Sequence, residues 1–184
     1  YIDICRSPDC HSKVSPEAMI VFPDFKVRRF TEIDQTFLQT HGLQGLLVDL
    51  DNTLVGWHAM DIPDDIAQHV AALRRDGIQL CITSNTYNFN RLRTLADTLG
   101  VHFYDGNAGK PGTRGLLAGL SQMGVPPQRA AMVGDQLFTD IKAGSRAGVK
   151  TILVNPLTSR DFIGTKLVSR TLENLVLRGA HSRP

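Results

Sequence analysis

Residues 45–51 have the sequence GLLVDLD, a compact apolar run that ends in two carboxylates. The run predicts a buried strand of a parallel sheet, because strands that are covered on both faces are almost continuously hydrophobic. Asp49 and Asp51 follow at its carboxyl end, which is where open parallel sheets bind their ligands. The stretch therefore predicts a core strand that leads into a functional loop.

The flanking segments alternate between helical and strand-like patterns. Upstream, apolar residues at helical spacing predict a lead-in helix over residues 31–40. The helices predicted downstream cover residues 63–75, 90–99, 113–123 and 140–147, and the strands cover residues 78–83, 101–104, 130–133 and 151–154. This alternation predicts an α/β fold, a three-layer Rossmann-like parallel sheet with helices on both faces.

The length and composition are typical of one globular domain. The 184 residues are 42% hydrophobic and 21% charged, as in ordinary globular proteins. We predict an N-terminal segment (1–22), a core that includes the lead-in helix (23–156) and a basic, amphipathic C-terminal tail or helix (157–184). No apolar stretch approaches the roughly 20 residues that span a bilayer. The sequence starts at Tyr1, so the question of a targeting segment stays open.

The cysteine count and the charge distribution indicate a cellular setting. Three cysteines, an odd number, with Cys81 inside a predicted core strand, favour a reducing, cytoplasmic environment. The net charge of +2 conceals a basic end, because residues 142–184 contain eight Lys and Arg against two Asp and Glu. Such an end indicates an anionic partner or, equally, a solvated surface.

The two carboxylates of residues 45–51 suggest a cation site. Asp49 and Asp51 are two residues apart, so on a continuing strand both side chains point to the same side. Carboxylates held so close repel each other unless a cation neutralises them, and Mg²⁺ prefers oxygen ligands. An isolated Asp-x-Asp pair is also common in turns and helix caps, so the pair alone is weak evidence.

Polar residues also follow the other predicted strands. Ser84-Asn85 follows the second strand, Lys110-Pro111 the third, and Gly134-Asp135 with Asp140 the fourth. In order and spacing, these groups and the Asp49-Leu50-Asp51-Asn52-Thr53 string resemble the four motifs of the haloacid dehalogenase superfamily. The resemblance covers about residues 45–156.

The resemblance implies a role for each matched residue. Asp49 is the implied nucleophile, which forms an aspartyl-phosphate, and Asp51 is the implied acid and then base. Ser84 and the backbone N–H of Asn85 hold the phosphoryl oxygens in this scheme, while Lys110 neutralises the charge of Asp49 and of the transferring group.

The resemblance also implies a Mg²⁺ site. Its ligands are Asp135, the side chain of Asp49 and the backbone carbonyl of Asp51. Asp140 supports the site from behind, and an N-cap of the helix that begins there is the alternative for this residue.

The short intervals between the motifs predict the absence of a cap domain. Between Asp51 and Ser84 there is room for a loop, one helix and one strand, and between Ser84 and Lys110 again for a helix and a strand. An open site favours a substrate with a large body, such as a protein, a nucleic acid end or a lipid headgroup.

The residues of these motifs resemble those of the bacterial phosphatidylglycerophosphate phosphatases, a capless group within subfamily IIIA of the haloacid dehalogenase superfamily. The telling strings are Asp-Asn-Thr-Leu-Val at 51–55 and Gly-Asp-Gln-Leu-Phe-Thr-Asp at 134–140. The resemblance implies removal of the terminal phosphate from phosphatidylglycerophosphate. A capless phosphatase for soluble sugar phosphates or phosphoproteins is the alternative, and a non-catalytic binding module is a third reading.

A lipid substrate requires contact with a membrane surface. Residues 162–177 have apolar residues at helical spacing beside Lys166 and Arg170, as in a helix drawn to anionic lipid, although a helix packed on the sheet explains them equally. Aromatic and basic residues of 22–30, with Phe22, Phe25 and Phe30 among them, suggest a second contact. We expect a peripheral protein at the inner membrane surface, with no nucleic-acid partner; the sequence leaves the oligomeric state open.

Two residues after the nucleophile loop are candidates for the border of the leaving-group pocket. They are Trp57 and His58.

Overall fold

Six parallel strands form the centre of the structure, a computed structural model that describes residues 22–157. The strands are β1 (Phe25–Lys26), β2 (Gly45–Val48), β3 (Gln79–Ile82), β4 (His102–Phe103), β5 (Ala130–Gly134) and β6 (Lys150–Leu153). They lie in the order β1-β6-β5-β2-β3-β4, and all neighbours are parallel. The predicted α/β class is confirmed.

Within residues 22–157, five α-helices cover the two faces of the sheet. They are α1 (Gln35–Thr40), α2 (Asp64–Arg75), α3 (Phe89–Leu99), α4 (Arg114–Met123) and α5 (Lys142–Ala147). Alternate residues of β2 point to opposite faces: Leu46 packs in one buried cluster with residues of α1, α2 and α3, and Leu47 packs in another with residues of α4 and α5. Full burial of such a leucine stabilises the fold by roughly 1.5–3 kcal/mol. The three-layer arrangement follows from this alternation.

Two glycines let the helices of the second face approach the sheet closely. A Cβ at Gly119 would lie 2.7 Å from Cδ2 of Leu47, and a Cβ at Gly144 would lie 2.8 Å from Cβ of Met132. Larger residues would push α4 and α5 away from the strands. The close approach fixes the position of the segment before α4, which carries Lys110.

The lead-in helix is shorter than predicted. A 3-10 turn occupies Phe30–Glu32, and α1 starts only at Gln35, because Asp34 caps it by accepting a hydrogen bond of 2.8 Å from the N–H of Phe37. A capping aspartate has a non-helical backbone, so it interrupts a helix that the apolar spacing alone predicts as continuous.

Strand β1 was absent from the sequence prediction, and its discovery changes the interpretation of residues 22–30. Phe30 is buried in the core, and Phe25 packs edge-on against Phe37 with ring centroids 5.3 Å apart. The prediction that Phe22, Phe25 and Phe30 form one membrane contact is therefore wrong for Phe25 and Phe30. Phe22 remains exposed, at the edge of the sheet where the strands begin.

The topology brings the carboxyl ends of β2 and β5 side by side. The chain runs outward from β2 to β3 and β4 and then returns to β5 on the other side of β2. Such a switch point is where open α/β sheets form their ligand crevices. Between residues 51 and 84 the structure adds only loops, α2 and β3, so the predicted lack of a cap in this interval is confirmed.

Two predictions concern residues beyond this part of the chain. The N-terminal segment up to residue 21 and the amphipathic stretch 162–177 lie outside the described residues. Among the helices of residues 22–157, none has the length and apolarity that crossing a membrane requires.

Candidate active site

Asp49 lies at the centre of the carboxyl edge of the sheet. Its backbone N–H donates a hydrogen bond of 2.9 Å to the carbonyl of Val133, and the N–H of Thr83 donates one of 2.9 Å to the carbonyl of Val48. The tips of β3 and β5 are thus hydrogen-bonded to the tip of β2. The polar residues that follow these strands, and those that follow β4, are predicted site residues.

The ammonium group of Lys110 is buried between two carboxylates. Its Nζ lies 2.5 Å from Oδ1 of Asp49 and 2.7 Å from Oδ1 of Asp140. Burial opposes the positive charge, but Asp140 and Asp49 outweigh it and raise the pKa of Lys110. The lysine therefore stays charged and partly neutralises the cluster.

Three carboxylates converge beside this lysine. Asp49, Asp135 and Asp140 each offer an oxygen within 4.8 Å of the others. Burial, followed by repulsion from Asp140, raises the pKa of Asp49 to about 7 against the opposing effect of Lys110. Burial and Asp140 likewise raise the pKa of Asp135 to about 6. The single positive charge of Lys110 does not balance the negative charges of three ionised carboxylates.

These carboxylates fit a divalent cation. Oδ1 of Asp135 is buried and has no hydrogen-bond partner within residues 22–157, and an oxygen without a donor is a free ligand position. Hard carboxylate oxygens are the ligands that Mg²⁺ prefers. The structure thus brings together four predicted site residues, namely Asp49, Lys110, Asp135 and Asp140.

Asp140 belongs to a helical turn rather than to a helix cap. The chain forms a π-helical turn at Leu137–Ile141 that runs into α5, so the helix starts before residue 140 and not at it as predicted. The carboxylate turns back and accepts a hydrogen bond of 3.1 Å from the N–H of Gln136. It lies directly against Gly134, where a Cβ would clash with it.

Ser84 and Asn85 occupy the tip of β3 as predicted. Ser84 is buried, and its Oγ accepts a hydrogen bond of 3.3 Å from the N–H of Thr86. The side chain of Asn85 bonds instead to the backbone of Lys110, donating from Nδ2 to its carbonyl at 2.8 Å and accepting from its N–H at 2.9 Å. This contact between two predicted motifs was not foreseen from the sequence.

The carboxylate of Asp51 is not one of the three clustered carboxylates and pairs with Arg91. Nη2 of Arg91 donates to Oδ1 at 2.9 Å and Nη1 to Oδ2 at 3.3 Å. The N–H of His58 donates to Oδ1 at 3.0 Å, so His58 contacts the site through its backbone. The predicted role of Asp51 in the metal site rests on its backbone carbonyl.

Arg91 was missed, although the sequence contains a signal for it. It lies on the buried face of α3 with Leu92, Leu95 and Leu99. Buried arginines are rare unless they are paired, so an arginine on an apolar helical stripe predicts a carboxylate partner. The pattern does not say which carboxylate.

Exposed apolar side chains surround the carboxyl edge. Trp57 follows β2, Tyr87 follows β3 and Phe138 follows β5, and they are 50%, 82% and 58% exposed. These strands are neighbours in the sheet, so the three loops lie side by side. Trp57 follows the loop of Asp51 in the chain, and its place at the border of the leaving-group pocket stays a prediction.

Comparison with known proteins identifies relatives that are named as phosphatases. "Probable phosphatase YqeG" of Bacillus subtilis (strain 168) is 31% identical over 155 residues, 84% of this chain and 88% of that protein. "Phosphatidylglycerophosphate phosphatase 1, chloroplastic/mitochondrial" of Arabidopsis thaliana is 26% identical over 160 residues, 80% of this chain and 44% of that protein. The chain thus spans less than half of the Arabidopsis relative.

A solved structure supports the fold alone. The cobalt-bound deoxy-D-mannose-octulosonate 8-phosphate phosphatase (YrbI) of Haemophilus influenzae has a TM-score of 0.51 at 19% identity. The match covers 62% of this chain and 69% of that one.

The sequence model of one protein family matches most of the chain. The family is that of the haloacid dehalogenase-like hydrolases, and the match covers residues 8–148. The resemblance of the motifs is thereby confirmed, and the chain belongs to the haloacid dehalogenase-like hydrolase family.

Proposed function

We propose that the chain is a Mg²⁺-dependent phosphomonoester hydrolase that works through an aspartyl-phosphate. The observation that carries this proposal is the placement of Asp49, whose buried carboxylate touches Lys110 and forms with Asp135 and Asp140 a cluster that fits a cation. A nucleophile of this kind needs a positive environment, because it must approach an anionic phosphoryl group.

Each side chain has a distinct task in this mechanism. An oxygen of Asp49 attacks phosphorus, and Asp51 gives a proton to the departing oxygen and then takes one from the attacking water. Lys110 offsets negative charge that develops on the phosphoryl oxygens. Ser84 and the N–H of Asn85 are the proposed donors to those oxygens.

Asp49, Asp135 and the carbonyl of Asp51 are the proposed ligands of Mg²⁺, with Asp140 in support. When bound, the cation neutralises charge on the nucleophile and on the phosphoryl group. Asp140 also forms an ion pair with Lys110, so it links the cation site to the lysine.

The substrate we propose is phosphatidylglycerophosphate, an anionic lipid met at the inner membrane surface. Two observations support this choice. Two relatives bear the name of that phosphatase, at 26% and 29% identity. Exposed Trp57, Tyr87 and Phe138 lie on the neighbouring loops at the carboxyl edge, and aromatic residues are common where proteins meet the headgroup region of a membrane.

The general activity is tested with p-nitrophenyl phosphate. We expect phosphate release with Mg²⁺ and none in EDTA, and a loss on the order of 10⁴-fold or more in Asp49→Asn. Asp97→Asn, which changes an exposed carboxylate of α3, is the matched control. Unchanged turnover of the Asp49 variant would refute the nucleophile.

The substrate is tested with phosphatidylglycerophosphate in mixed micelles, beside glycerol 3-phosphate and a phosphopeptide. We expect preference for the lipid, and a selective loss of that preference in the variant Tyr87→Ser/Phe138→Ser. Phe22→Ser is compared with it, because Phe22 is 78% exposed at the opposite edge of the sheet and belongs to the second predicted contact. An equal loss in Phe22→Ser would place the membrane contact away from the active-site edge. Preference for a soluble substrate would replace the lipid assignment by the alternative of a capless phosphatase for soluble or protein phosphates.

A further inference from the structure

A buried arginine outside the predicted motifs holds the carboxylate of Asp51. The side chain of Arg91 is 3% exposed and that of Asp51 is 13% exposed. Both terminal nitrogens of the guanidinium bond to the carboxylate, one to each oxygen. A forked contact of this kind fixes the plane of a carboxylate as well as its position.

The same guanidinium also fixes the loop that follows Asp51. Its third nitrogen, Nε, donates a hydrogen bond of 2.9 Å to the carbonyl of Ala59. The N–H of His58, in the same loop, donates to Oδ1 of Asp51. Arg91 therefore holds both ends of a short loop, and that loop in turn holds the carboxylate.

The arginine itself is rigidly placed. It lies in the first turn of α3, where the side chain of Asn88 caps the helix by accepting a hydrogen bond of 3.1 Å from the N–H of Arg91. The next residue, Leu92, is fully buried in the core. The position of the guanidinium is thus set by the core and not by a mobile loop.

We propose that Arg91 is the positioning residue of Asp51, which it orients for proton transfer to the leaving group. The inference rests on the proposed function. In the step concerned, a bond forms between Asp49 and phosphorus and the bond to the leaving oxygen breaks. The leaving oxygen keeps the electron pair and receives a proton carried by Oδ2 of Asp51, the oxygen with the longer contact to Arg91, at 3.3 Å. Arg91 touches neither the substrate nor the phosphoryl group in this scheme.

This role predicts a dependence on the leaving group. An alkyl phosphate has a poor leaving group that needs the proton, whereas 2,4-dinitrophenyl phosphate has a good one that leaves without it. We expect Arg91→Gln to lower kcat/KM for an alkyl phosphate about 10²-fold, and to change kcat/KM for 2,4-dinitrophenyl phosphate by no more than about 3-fold. The comparison uses kcat/KM because it reports the transfer to Asp49 and not the later attack of water, in which Asp51 serves both substrates alike. Arg91→Lys keeps the charge without the fork, so we expect the same selectivity with a smaller loss.

The matched control is Arg93→Gln. Arg93 lies on the same helix, but it is exposed and pairs with Asp105 on the surface. We expect wild-type rates for both substrates. A variant that merely weakens the fold lowers kcat/KM for both substrates in proportion, so equal losses of kcat/KM on the two substrates would overturn the inference. Thermal unfolding is followed for each variant, and if Arg91→Gln is unfolded at the assay temperature, the substrate selectivity of Arg91→Lys decides.

A double-mutant cycle separates this inference from the proposed function. Asp51→Asn must itself show the leaving-group selectivity, and if it does not, the acid role of Asp51 fails and the proposed mechanism with it. If Asp51→Asn shows it, Arg91→Gln should add no further selectivity in that background, because it acts through Asp51. A full additional loss would show that Arg91 acts independently of Asp51.

Discussion

The side-chain amide of Asn85 forms two hydrogen bonds with the backbone of Lys110. Nδ2 donates to the carbonyl of Lys110 at 2.8 Å and Oδ1 accepts from its N–H at 2.9 Å. The side chain of Asn107 continues the chain of contacts by donating to the carbonyl of Asn85 at 2.7 Å. The loop before α4 is thereby fixed to the tip of β3, and the lysine is aimed at Asp49.

Replacement of Asn85 should therefore act through Lys110. In Asn85→Ala both backbone groups of Lys110 lose their partner, which costs about 1–3 kcal/mol of stability, and the lysine loses its fixed position. We expect kcat for p-nitrophenyl phosphate to fall about 10²-fold. Asn90→Ala, at an exposed position on α3, should leave kcat unchanged. Wild-type turnover in Asn85→Ala would show that the amide is dispensable for placing the lysine.

Removal of the Lys110 charge should destabilise the metal-free protein. In Lys110→Met the buried carboxylates of Asp49 and Asp140 lose their only ion-pair partner within residues 22–157. Loss of one member of a buried ion pair costs about 3–5 kcal/mol. Urea unfolding in EDTA near neutral pH measures this cost. We expect Mg²⁺ to recover part of the stability but not the activity, and a cost below about 1 kcal/mol would contradict the pairing.

The raised pKa values of Asp49 and Asp135 predict a specific pH dependence. In the folded protein these values are about 7 and about 6, against 3.8 for an ordinary aspartate. Between these values the folded state binds protons that the unfolded state has lost, so stability falls as the pH rises through this window. Metal-free protein should therefore unfold at a lower temperature near neutral pH than in mild acid.

Mg²⁺ should reverse this trend, because it binds the ionised carboxylates. We expect it to raise the unfolding temperature on the order of 5 °C near pH 8 and much less near pH 5. Thermal scans with Mg²⁺ or EDTA measure both effects. The variant Asp49→Asn, whose amide does not titrate, should show a shallower slope in EDTA. A stability that rises with pH across this window would contradict the proposed origin of the shifts.

The sequence predicted the strands of the central sheet and the strand ends that carry the site residues, because both depend on local patterns. Apolar runs such as 45–48 and 130–133 and the glycines that end the helices are local features, and the structure places strands and helices there. The two-residue strand β1 was missed since its residues are half exposed and too few to set a pattern. Its pairing with β6 is a contact between residues far apart in the chain.

The contacts within the site depend on distances that the sequence does not contain. The order of the motifs predicted which strand tips carry Asp49, Lys110 and Asp135. It did not predict that the carboxylate of Asp51 pairs with Arg91, because 40 residues separate the two. Nor did it predict that the side chain of Asn85 forms hydrogen bonds with the backbone of Lys110.

The close contact between Gly134 and Asp140 gives a last test of the acidic triad. A Cβ at position 134 would clash with the carboxyl group of Asp140, so Gly134→Ala must displace that carboxylate from Lys110 and from its neighbours. We expect weaker Mg²⁺ binding, measured by the metal concentration at half-maximal activity, and a fall in kcat of about 10-fold or more.

Gly77→Ala is the control for this variant. Gly77 has φ of +83° and nothing within 4 Å of an added Cβ, so its replacement strains the backbone at a cost of about 1–2 kcal/mol without touching the site. It should lower the unfolding temperature and leave the Mg²⁺ requirement unchanged. If Gly134→Ala behaved in the same way, Asp140 would tolerate displacement, and its place in the cation site would have to be given up.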